Sequence, residues 1–167
     1  PQVAGREGVF PEAEQDPVIQ ISSVLCEHGR KEPLMRMVFV LGTCAPLPGG
    51  AVVRPFLTEK DLLLAWRDLV VQTDPDVLTG YNITGFDFPY LFDRAKHLGL
   101  DRFPFLGRET GKESTMKKST FSSNAFGKAS NYDVTVHGRV ILDVLTIMRR
   151  EHKLSCLLYT SPSPRDS

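Results

Sequence analysis

The sequence predicts an α/β domain, a mixed sheet flanked by helices, incomplete at both ends. Three observations carry this. Two neighbouring apolar runs have strand character, two later segments repeat apolar residues at helical spacing, and a short apolar run lies between those segments.

The first run, residues 18–25, follows Asp16-Pro17 and is rich in Val, Ile and Leu. In the second, Met35, Met37, Phe39 and Leu41 alternate with their neighbours. The polar connection 26–33 carries Gly29 and Pro33, as a hairpin loop does, so the two strands are expected to pair antiparallel. A turn-rich stretch at 45–50 leads to a short strand near Val52. Thr58 can then cap a helix in which Leu62, Trp66, Leu69 and Val70 share a face, ending near Asp74-Pro75. Val77-Leu78-Thr79 reads as a short buried strand running into Gly80-Tyr81-Asn82. Asp87, with Pro89 close behind, has the pattern of a helix cap and first-turn proline; Leu91, Ala95 and Leu98 follow on one face until Gly99. Residues 107–130 are dominated by Gly, Ser, Thr, Asn and Lys and read as a long loop or insertion. Alternation returns through Val134, Val136 and Val140, with Gly138 as a bend, and Asp143 is placed to cap a helix beginning there.

With 167 residues, 41% of them hydrophobic, the chain has the length of one domain or part of one. Twenty Lys and Arg balance twenty Asp and Glu, so any contact with nucleic acid must be local. Cys26, Cys44 and Cys156 are odd in number and lack a Cys-x-x-Cys pair, which speaks against a disulfide framework or a zinc site and for a reducing compartment. No apolar run approaches the roughly 20 residues of a membrane span, and no secretory signal opens the chain, so no membrane association is expected. His28, His97, His137 and His152 show no ligand-like spacing.

Chemistry concentrates in residues 74–91. A carboxylate, Asp87, stands just beyond the carboxyl end of a strand, where α/β folds bind ligands, and Mg²⁺ takes one or two such carboxylates with water and phosphate. A helix cap explains Asp87 equally well from these residues alone.

The block Tyr81-Asn82 with Phe86-Asp87-Phe88-Pro89-Tyr90-Leu91 resembles the second exonuclease motif of family B DNA polymerases. Residues 5–11 with 16–21, residues 103–108, and Gly138-Arg139-Val140 with Asp143 and residues 150–154 resemble one replicative branch of that family, so the likeness covers most of residues 4–154. The resemblance implies a ribonuclease H-like fold and a 3′–5′ proofreading exonuclease that hydrolyses mismatched 3′ nucleotides with two Mg²⁺ ions. It implies that Asp87 is the catalytic, metal-coordinating carboxylate, and that Tyr81, Asn82 and Phe86 line the site for the unpaired 3′ end of single-stranded primer DNA. For Tyr90 core packing is the expected role. It further implies a nuclear polymerase with accessory subunits.

The match has gaps. The family's first motif, Asp-x-Glu, would put Gln2 at its Glu position, and the third, Tyr-x-x-x-Asp, should follow residue 154. Both are missing, so the isolated chain is expected to be inactive, since a two-ion centre needs several acidic ligands. Residues 155–167 resemble translated adapter or vector read-through and are expected to be a non-native tail, which leaves 1–154 as a partial exonuclease domain; a genuine flexible Ser/Pro terminus has the same composition. Lys112, Lys117, Lys118 and Lys128 lie where the family has a β-hairpin, and either touch phosphate or belong to a solvated loop. Two other readings stay open: a catalytically silent exonuclease-like module that binds DNA or serves structure, kept alive by Gln2, and a free-standing ribonuclease H-like exonuclease.

Overall fold

A computed structural model describes residues 1–6, 8–45, 47, 49–123 and 127–151. The tail expected from Ser155 lies outside the described residues. The main sheet has four strands, β1 (Gln2–Val3), β2 (Val18–Leu25), β3 (Met35–Leu41) and β4 (Val52–Phe56), in that spatial order. β1 and β3 run antiparallel to β2, while β4 runs parallel to β3, so the sheet is mixed as expected.

Ile21 pairs with Phe39 and Ser23 with Met37, which sets these residues on one face. Helix α1 (Glu59–Thr73) covers that face with Leu62, Leu63, Trp66 and Val70, all buried, and the Trp66 indole N–H donates to Ser23 Oγ at 3.1 Å. The helix starts where the sequence predicts, with Thr58 Oγ1 accepting the Asp61 amide at 3.2 Å. It stops at Asp74, whose left-handed backbone (φ 46°) turns the chain out.

The next strand, β5 (Val77–Gly80), pairs in parallel with β8 (Val140–Asp143) and not with the four-stranded sheet. This corrects the expectation of a buried strand: Val77 and Val140 are exposed, because the pair is covered on one face only. Residues expected to form a long loop also differ. β6 (Thr115–Ser123) and β7 (Gly127–Thr135) make an antiparallel hairpin. A two-stranded ribbon standing apart from the main sheet has little apolar area to bury, so its sequence lacks the alternation by which strands are read. Its base joins the core through Val134, with Met116 and Tyr132 packed against it and Val136 just beyond.

Helix α2 (Phe88–His97) buries Phe88, Tyr90, Leu91 and Ala95, and Gly99, at φ 69°, ends the helical stretch. Beyond it Phe103 stacks on Trp66 with ring centroids 5.9 Å apart and meets the Phe92 ring edge-on, closing the core between α1 and α2. Helix α3 (Val144–Glu151) buries Leu145.

Two arginines fix the frame. Arg94 pairs with Glu59 at 2.7 Å and donates to the carbonyls of Ala13 and Glu14, while Glu59 Oε1 also accepts the Val18 amide at 2.6 Å. Arg139, its side chain 1% exposed, donates to Asp74 Oδ1, the Pro75 carbonyl and the Leu106 carbonyl. Buried guanidinium groups need such full partnership, and here they tie the segment before β2 to both helices and anchor the start of β5 beside β8.

Candidate active site

The residues singled out by the sequence meet in one turn between β5 and α2. Asn82 adopts a left-handed backbone (φ 58°, ψ 28°), a conformation that Asn tolerates better than most residues. Its carbonyl accepts the amides of Gly85 at 3.1 Å and Phe86 at 3.0 Å. A single π turn, Ile83–Asp87, follows and runs into α2, with the Phe88 amide donating to the Ile83 carbonyl. Turns of this type recur at functional sites. Two glycines make the turn compact: a Cβ on Gly80 would stand 2.5 Å from Ile83 Cγ2, and one on Gly85 would collide with Asn82 Oδ1.

Asp87 is not a helix cap. Its backbone is already helical (φ −61°, ψ −55°) and its carboxylate makes no capping hydrogen bond, because the π turn occupies the place of the cap. The carboxylate is partly exposed, and Oδ1 lies 2.9 Å from the Pro1 nitrogen. The residue before β1 therefore stands directly against Asp87.

Tyr81 is 59% exposed beside this turn. Phe86 is half-buried, with its ring 5.4 Å from Tyr90 and 5.6 Å from Phe10. Tyr90 belongs to the core as expected, and its hydroxyl donates to the Asp16 carbonyl at 2.5 Å. Lys117 and Lys118 are exposed on β6, Lys112 pairs with Glu109 at 2.5 Å, and the Lys128 side chain lies outside the described ones.

Sequence reasoning gave Asp143 only a capping role. It does accept the Leu145 amide at 3.0 Å, but it also accepts the Asn82 amide at 2.9 Å and, from Thr84, the amide at 2.9 Å and the hydroxyl at 2.6 Å. Burial pushes this carboxyl up, yet the bonds from the Thr84 hydroxyl and the three amides outweigh burial and hold it below the ordinary carboxylate value. A cleft of about 360 Å³ opens beside it, lined by Thr84, Tyr132, Asp133, Ile141 and Thr146 among others.

Among the described residues, no group of three or more His, Cys, Asp and Glu side chains is gathered to hold a metal. Asp87 can offer oxygen to one cation, but the described residues do not by themselves bring together the several carboxylates a two-ion centre needs. Nor, among the described residues, is any helix long and apolar enough to cross a membrane.

The mixed α/β domain carries an exposed aromatic residue, a half-buried amide and a partly exposed carboxylate on one turn. The family described as DNA polymerase family B, exonuclease domain, matches residues 2–160, and the chain belongs to it. Among its relatives is the DNA polymerase delta catalytic subunit of Mesocricetus auratus, 49% identical over 153 residues, which are 92% of this chain and 14% of the relative. The subunits of the same name from Glycine max and Candida albicans are 44% and 43% identical over 162 residues, 97% of this chain and 15% and 16% of theirs. The chain thus spans about 14–16% of the length of these curated relatives.

Proposed function

We propose that the chain is part of the proofreading 3′–5′ exonuclease of a replicative DNA polymerase of the delta type, acting in the nucleus with accessory subunits. It would remove a mismatched nucleotide from the 3′ end of a primer by Mg²⁺-assisted phosphodiester hydrolysis, on a ribonuclease H-like fold. The observation that carries this reading is the position of Asp87: the helix does not use its carboxylate, and the carboxylate lies against the residue before β1. That is where the family's first acidic motif would run. In the whole protein Asp87 would be one oxygen ligand of the metal centre, with the other carboxylates supplied by the remaining motifs. Tyr81 offers an exposed ring on which a terminal base can stack without its sequence being read, and Asn82 offers amide hydrogen bonds. Phe86 would back this surface from the aromatic cluster. The isolated chain is expected to be inactive.

A second reading, a catalytically silent module, draws on Gln2 at the Glu position of the first motif and on the lack of an acidic cluster among the described residues. An idling assay separates the two. Given a matched primer and only the next nucleoside triphosphate, a whole protein that proofreads converts it steadily to monophosphate. A silent module binds the primer and yields no monophosphate.

A further inference from the structure

Asp143 ends β8 directly opposite Gly80, the last residue of β5, and is 7% exposed. A helix cap needs one hydrogen bond from the first turn, and the Leu145 amide supplies it. The other three bonds cross 61 residues to Asn82 and 59 to Thr84, the residues on either side of the entry to the π turn. One carboxylate oxygen takes the Asn82 and Leu145 amides; the other takes the Thr84 amide and hydroxyl. This arrangement engages Asn82 while it holds its left-handed backbone, a conformation that costs free energy unless neighbouring bonds select it. Asp87 stands at the start of α2, and the buried face of that helix holds it without Asp143.

We propose that Asp143 is a positioning residue that locks the Asn82–Thr84 turn in the shape that receives the unpaired 3′ end of DNA, and so acts on binding of that end more than on its hydrolysis. The inference rests on the exonuclease reading above. Without the Asp143 carboxylate, Asn82 is released from its left-handed backbone while Asp87 keeps its place.

The test uses the whole polymerase carrying Asp143→Asn, Thr84→Val or both, with a single-stranded oligonucleotide as substrate. Asp143→Asn should raise KM by about tenfold and leave kcat within about twofold; Thr84→Val, which removes only the hydroxyl bond, should raise KM by about threefold. Because both changes cut the same tether, the double variant should bind no worse than Asp143→Asn alone. A merely structural role predicts lower kcat at unchanged KM, because it reduces the fraction of folded enzyme; that result, or effects that multiply in the double variant, overturns the proposal. Should Asp143→Asn fail to fold, Thr84→Val decides, since it keeps the buried carboxylate, and an unchanged KM there overturns the proposal too. Asp87→Asn is assayed beside them. If it leaves excision intact, the exonuclease reading and this inference fall together; if it abolishes excision while KM is unmoved in the other variants, this inference alone falls.

Discussion

Arg94 on α2 and Glu59 at the first position of α1 meet at 2.7 Å, with side chains only 8% and 10% exposed. This pair joins the two helices that close the core, and its remaining hydrogen-bonding capacity is taken up by Val18, Ala13 and Glu14. Arg94→Met would leave the Glu59 carboxylate buried without its cation. A loss of about 3–5 kcal/mol is expected, read as a lower midpoint in denaturant unfolding, and Glu59→Leu in the same chain should recover part of it. A loss below about 1 kcal/mol would show that the pair behaves as a surface ion pair.

Phe103 is fully buried between Trp66 and Phe92. Phe103→Ala should cost about 3–5 kcal/mol, the range for emptying an aromatic site in a core. Thr58→Ala removes only the cap of α1 and should cost about 1 kcal/mol, while Thr58→Ser should be near neutral. Thermal unfolding of the three variants orders them.

The Asp143 carboxyl is depressed in the folded chain, so its contribution to stability is complete above the ordinary carboxylate value near 4 and is lost as pH falls through the lower folded value. Asp16, held down first by the Glu12 amide, and Asp74, held down first by Arg108, contribute in the same direction. Stability should therefore fall on the acid side of about pH 4, and Asp143→Asn should flatten that limb without abolishing it. Unfolding midpoints from pH 2 to 7 for both chains give the answer; identical slopes would contradict the assignment.

Gly85→Ala places a methyl group on Asn82 Oδ1 and must swing that side chain out of its place. In the whole protein excision of a mismatched end should drop by about tenfold or more, with nucleotide incorporation unchanged. Primer-extension and excision assays on one preparation compare the two.

Local chemistry made much of this fold legible. The β2–β3 hairpin, the Thr58 cap and the strand–turn–helix around Asp87 each follow from residues adjacent in sequence. What lay beyond reading were relationships set by distant partners. Nothing in the spacing joins Asp143 to Asn82, and a carboxylate that caps α3 looks the same in sequence whether or not it also holds a second turn. The capping pattern of Asp87 misled because a π turn, invisible to helical periodicity, displaced the cap. Periodicity missed the β6–β7 hairpin because both its strands are polar, although the family resemblance placed a hairpin near there, and β5 looked buried because apolar runs do not reveal how many neighbours a strand has.

In the proposed function the Asp87 carboxylate serves the exonuclease reaction and not the helix. Asn caps a helix about as well as Asp but is a poorer, uncharged ligand for Mg²⁺, so Asp87→Asn separates the two roles. The measurement is the rate of release of a mismatched 3′ nucleotide by the whole protein, with nucleotide incorporation and thermal unfolding followed on the same preparation. With Asp87 as a metal ligand, excision should fall by orders of magnitude while incorporation and the unfolding temperature stay near those of the unaltered protein. Excision at the unaltered rate would contradict that role.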